Sequence, residues 1–138
     1  MNKDFLKRAC KVVIILFLIL ATQLFSEMFL IPNDLYYIIP WLDIPMHILG
    51  GFLFGCLFMF FVEMVSLDYV KINFLKRFEP KLLHLFYFIL FVGVTWEIYE
   101  YMNDIVNYRE WRGVLDSVKD LFDDCLGAFG AYYLLKNK

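Results

Sequence analysis

Residues 113–135, GVLDSVKDLFDDCLGAFGAYYLL, hold four aspartates within an otherwise apolar run. On a helix Asp116, Asp120 and Asp124 recur every four residues and share one face, while Asp123 points about a quarter-turn away. Gly127 and Ala131 extend nearly the same face with small residues suited to close helix contact. Elsewhere Asp43 and His47 stand four apart, and Glu97 and Glu100 three apart. Carboxylates around a single imidazole make an oxygen-rich set that suits a hard divalent ion such as Mg²⁺, Mn²⁺ or Ca²⁺, and such a set can also hold Zn²⁺. Without metal, grouped carboxylates share protons and become candidates for general acid/base work. The candidate catalytic residues are His47, Glu97 and Asp120, and the candidate metal ligands are those three with Asp124. Asp43, Glu100, Asp116 and Glu27 stand behind them, and Arg109 and Arg112 are candidates for clamping an anion.

The elements that must position these residues are membrane helices. With 62% hydrophobic and 20% aromatic residues and a mean hydropathy of +0.63, a chain of 138 residues is too apolar for a soluble domain and is expected to form one integral membrane domain, 1–138. The net charge of −2 comes without a basic tract, which argues against nucleic acid as a partner. Cys10, Cys56 and Cys125 have no CxxC spacing and read as small buried hydrophobes. The N-terminus begins like a signal peptide, with a basic start and an apolar run. That run continues through Gln23 to Ile31 without an A-x-A site, so it reads as a retained first helix.

The pattern predicts an all-α, four-transmembrane-helix bundle with helices at about 12–31, 44–65, 82–102 and 113–135. The connector LYYIIPWLD carries aromatic rings suited to the membrane interface, and Gly51 and Gly55 form a G-x-x-x-G pair for helix packing. Lys71, Lys76, Arg77 and Lys81 make a basic loop between the second and third helices. Lysines and arginines near both termini and in that loop outnumber Arg109 and Arg112, which places both termini in the cytoplasm. Counting about 1.5 Å of rise per residue from the inner boundary then puts Glu27, His47, Glu97 and Asp120 at about 22–24 Å, in the outer half of the bilayer. Burial this costly calls for pairing, water or metal. The bland reading is a polar vestibule whose acids pair with Arg109, Arg112 and Lys119, and Asp123, off the stripe, fits it best. Glu63 and His84 fall near the cytoplasmic boundary and read as interfacial.

Three pieces of the chain resemble the VanZ-like and YjdF-like groups of small bacterial membrane proteins: Asp43-Ile-Pro-Met-His47 followed by Gly50-Gly51, Gly93-Val-Thr-Trp-Glu97 with Glu100, and Asp116-x-x-x-Asp120-x-x-x-Asp124-x-x-Gly127-Ala128. VanZ-like proteins share an Asp-x-x-x-His, a later acidic residue and an Asp-x-x-x-Asn-x-x-Gly ending; here Asp124 stands where the Asn is usual. The resemblance covers the last three helices. It implies the outer face of the cytoplasmic membrane and a link to cell-wall precursors, but supplies no reaction.

The expectation is therefore a multi-pass protein of the cytoplasmic membrane whose acidic/His site faces the extracytoplasmic side. It would bind a divalent metal and act on a lipid or lipid-linked envelope head group as a hydrolase or transferase, with membrane lipids as partners and a homo-oligomer unsurprising. The alternative is a non-catalytic protein that binds an ion or lipid or scaffolds a partner through its Gly/Ala faces. A proton- or cation-coupled carrier fits less well, because the acids stop at mid-membrane.

Overall fold

The computed structural model describes residues 3–66, 82–107 and 112–136, and these are helical nearly throughout. The basic loop with Lys71, Lys76, Arg77 and Lys81, and Arg109 of the last connector, lie outside the described residues. Helix α1 spans Lys3–Phe25 and runs on into a π-helical turn, Ser26–Leu30. It starts nine residues before the predicted Val12, because no Pro or Gly interrupts the charged lead-in. The chain reverses at Asp34 (φ 51°), passes a short α2 (Leu35–Ile38) and a 3₁₀ turn (Pro40–Leu42), and enters α3 (Asp43–Ser66). Helix α4 is Leu82–Val106, and α5 is Val114–Leu135. The predicted end of α4 at Met102 is exceeded by a turn. Asn107 closes it by donating its side-chain amide to the Asn103 carbonyl at 2.8 Å, which satisfies one of the orphan groups of the helix end.

Among the described residues three segments, Ala9–Leu30, Pro40–Met64 and Leu82–Val106, are long and apolar enough to cross a membrane. Their outward faces carry Phe17, Leu20 and Leu24 on α1 and Phe91, Val94 and Ile98 on α4, an apolar surface far beyond what water tolerates. Helix α5 is the inverse of a soluble amphipathic helix. It exposes Leu115, Val118, Phe122 and Leu126 outward and buries Asp120 and Asp123 inward.

The tightest contact joins α3 to α5. A Cβ on Gly51 would collide with the Asp124 carbonyl, and one on Gly127 would collide with the Ile48 carbonyl. A Cβ on Gly55 would lie 2.9 Å from the Ala128 Cα. Only hydrogen at these positions lets the two backbones touch. Around that seam, Leu85 and Ile89 of α4 pack on Cys125, Ala128 and Tyr132, and Ile15 of α1 packs on Leu53, Cys56 and Ala131. Phe58 and Phe88 tie α3 to α4 with ring centroids 5.2 Å apart. Helices α1 and α4 have few close backbone approaches to each other among the described residues. Gly51→Ala and Gly127→Ala are each expected to lower stability by about 1–3 kcal/mol through overpacking, measured by reversible unfolding in mixed micelles.

Candidate functional site

The site grows from the first turns of α3. Pro45 is tolerated there because that turn lacks intrahelical acceptors for its missing N–H, and Asp43 gains from the positive end of the helix dipole. One turn on, His47 projects from the same face as Asp43. The α3–α5 seam then brings the aspartate stripe of α5 against the ring.

His47 is buried among three carboxylates. Its Nδ1 lies 3.2 Å from Asp124 Oδ1, in hydrogen-bonding range. Its Nε2 faces Asp43 Oδ1 at 3.6 Å and Asp120 Oδ2 at 3.9 Å. Asp43 and Asp120 are among the least exposed polar residues, at 2% and 1%. Two donor sets have ligand atoms within 4.8 Å of one another: buried Asp43, His47 and Asp120, and His47 with the half-buried Glu97 and Glu100.

Two cations enter the cluster from the α5 side. Arg112 places Nη1 2.9 Å from Asp43 Oδ2, Nε 3.0 Å from Asp116 Oδ2 and Nη2 4.0 Å from Glu100 Oε2. Burial works against the Arg112 charge, but the carboxylates of Asp43, Asp116 and Glu100 outweigh it and push its pKa further up, so the guanidinium stays charged. Lys119 lies 2.9 Å from Asp120 Oδ1, 3.1 Å from Asp116 Oδ1 and 3.3 Å from Asp43 Oδ2. Its approach to Asp120 is close but not aligned as a hydrogen bond, so the buried Oδ1 has charge compensation without a directed donor. Among the described residues Asp43, Glu100, Asp116 and Asp120 lie against these two cations, while Asp124 and Glu97 lie near His47.

Residues 5–137 match the family described as "Predicted membrane protein (DUF2238)". The chain belongs to the DUF2238 family. No curated protein and no solved structure matches it.

In this DUF2238 protein the residues singled out by sequence take distinct places. His47, Asp43, Asp120 and Asp124 come together, and Glu97 and Glu100 approach the ring from α4. Asp116 serves Arg112 and Lys119. Arg112, a candidate anion clamp, has its donors turned to carboxylates. Glu27 sits apart, accepting from Gln23 Nε2 at 3.0 Å and from the Tyr99 hydroxyl at 2.5 Å. Asp123, although off the stripe, is buried, and its Oδ2 has no hydrogen-bond partner among the described residues.

A cavity of about 150 Å³ adjoins the cluster, with His47, Asp43 and Asp124 in its wall beside Ser26 and Tyr36, and with apolar walls from α1, α3 and α4. The Tyr36 and Ser26 hydroxyls are 2.8 Å apart, and burial pushes the Tyr36 pKa up, so that hydroxyl keeps its proton. Trp96 donates its indole N–H to Glu100 Oε1 at 2.9 Å and also lines the cavity. The i,i+4 spacing of Trp96 to Glu100 is the sequence signal for this bond. The ion pairs from Arg112 should hold α3 and α5 in register. A double-mutant cycle of Asp43→Asn with Arg112→Gln, read by unfolding in micelles, is expected to give a coupling energy of about 0.5–3 kcal/mol.

Proposed function

We propose that this membrane protein binds one divalent cation through His47 Nε2, Asp43 and Asp120, and uses it on the head group of a lipid or lipid-linked molecule. The observation that carries the reading is the orientation of the His47 ring, with Nδ1 toward Asp124 and Nε2 toward Asp43 and Asp120. A carboxylate that accepts from one ring nitrogen fixes the tautomer that offers the other to a metal. Asp124 is thereby an orienting residue and Asp43 a ligand. Glu97 and Glu100 are the acid/base candidates beside the ion.

The charge balance supports a cation, since among the described residues the carboxylates around His47 outnumber Arg112 and Lys119, an excess that a divalent ion would offset. The metal would act as a Lewis acid toward a head-group oxygen, in a hydrolysis or a transfer. An anionic head group would meet the metal more readily than Arg112, whose nitrogens already face carboxylates. The adjoining amphipathic cavity supports a lipid substrate. The VanZ-like and YjdF-like resemblance and the lysine and arginine distribution support a site on the extracytoplasmic side of the cytoplasmic membrane, with both termini inside.

A second reading is non-catalytic. Arg112 and Lys119 each bridge acids of α3 and α5, which favours a network that keeps the helices in register.

Elemental analysis of protein purified in mild detergent without chelators separates the two. Near-stoichiometric divalent metal is expected in the wild type and none in His47→Ala of identical elution. Asp124→Asn, which spoils orientation only, is expected to weaken metal affinity about 10–100-fold. Negligible metal in the wild type, unchanged on titration with Mg²⁺, Mn²⁺, Ca²⁺ and Zn²⁺, would overturn the metal reading in favour of the network.

A further inference from the structure

Gly50 has no packing reason to be a glycine. Gly51 and Gly55 lie against the backbone of α5, but a Cβ on Gly50 would meet nothing within 4 Å. Its backbone is ordinary helix, since the positive-φ glycine of the described residues is Gly113. A glycine in a helix interior is less stable there than alanine. What the missing side chain leaves is room, because Gly50 lines the cavity beside His47.

That cavity has two kinds of wall. Ser26, Tyr36, Asp43, His47 and Asp124 give it polar walls near the site, and Ile19, Leu53, Phe54, Ile89 and Val92 give it apolar ones, with Thr22 and Gln23 of α1 also in the lining. Its volume of about 150 Å³ is enough room for a benzene-sized group. A short stretch of one hydrocarbon chain fits that room; a branched, two-chain glycerol backbone does not.

Residues of both α1 and α4 line the chamber, and these two helices have few close backbone approaches to each other among the described residues. Phe17 and Leu20 on α1 and Phe91 and Val94 on α4 are exposed on the outward faces of the two helices, so bilayer hydrocarbon surrounds both. The Tyr99 hydroxyl donates to Glu27 Oε1 at 2.5 Å, from α4 to the π-helical turn that follows α1. Glu27 sits in the π-helical turn that also buries Ser26, and such turns mark local departures from regular helix that are common at functional sites.

We infer that this cavity is a binding chamber for a single-chain polar lipid, which enters sideways from the bilayer between α1 and α4 and lays its first chain segment over Gly50. The Glu27–Tyr99 hydrogen bond is the latch across that doorway. The head group then lies at His47, and for what happens to it there the inference rests on the lipid reading above.

The test uses the full chain in phosphatidylcholine vesicles doped with a lysophosphatidylcholine that carries a diazirine near the head of its acyl chain. After irradiation, adducts are mapped by peptide mass spectrometry. Adducts are expected on Leu53, Ile89 or Val92 in the wild type, lost in Gly50→Phe and retained in Gly50→Ala, whose single methyl enters open space. Tyr99→Phe is expected to raise the labelling rate several-fold. Should Gly50→Phe elute as misfolded, Gly50→Leu fills the same space. Adducts confined to outward residues such as Phe17 and Phe91, and equal in every variant, would overturn the inference. Metal content read on the same samples keeps the two claims apart. Chamber labelling without metal removes the metal reading alone, and metal without chamber labelling removes this inference alone.

Discussion

The backbone contact between α3 and α5 is the constraint on which the other features depend. Because Gly51 meets the Asp124 backbone and Gly127 meets the Ile48 carbonyl, the two helices approach more closely than any side chain at those positions would allow. That distance brings Asp120 and Asp124 to the His47 ring and Lys119 to Asp43. Gly93 serves the same end from α4, since a Cβ there would lie 2.9 Å from Asp124 Oδ2. Asp124 is therefore held by backbone contact on one side and by a helix wall on the other, and its carboxylate has little freedom except toward His47.

A helix with this many acids enters a membrane bundle only if its neighbours absorb the cost. Helix α5 meets that condition by turning Asp120 and Asp123 inward and Leu115, Phe122 and Leu126 outward. Arg112 and Lys119 offset part of the charge, and Asp43, Asp120 and Asp124 also face His47. Polar and apolar walls share the cavity beside His47 and Gly50, the surfaces on which the proposed lipid reading rests.

Much of the arrangement could be read from the sequence because helices convert spacing into height and face. Asp43 with His47, and Asp120 with Asp124, follow from i,i+4 counting, and a common rise per residue brings them to one level. The small-residue faces of Gly51, Gly55, Gly127 and Ala131 announce close packing. Other features depend on what spacing does not encode. The π-helical turn at Ser26–Leu30 has no Pro or Gly to signal it, and it sets Glu27 toward Tyr99 instead of the His47 cluster. Which carboxylate meets Nδ1 and which meets Nε2 depends on the rotation of the imidazole, which residue spacing leaves undetermined. Gly50 and Gly51 look alike in sequence; only the neighbours reveal that one makes contact and the other makes space.

The account turns on the His47 ring, and nitrogen NMR of ¹⁵N-histidine-labelled protein observes it directly. The sequence holds two histidines, so a His84→Gln variant assigns the signals. Metal and proton compete for the same Nε2 lone pair. The account predicts that on adding Zn²⁺ the Nε2 resonance shifts to a metal-bound position while Nδ1 keeps a proton hydrogen-bonded to Asp124. A ring whose two nitrogens are unchanged at saturating Zn²⁺, or one that binds metal through Nδ1, would contradict it.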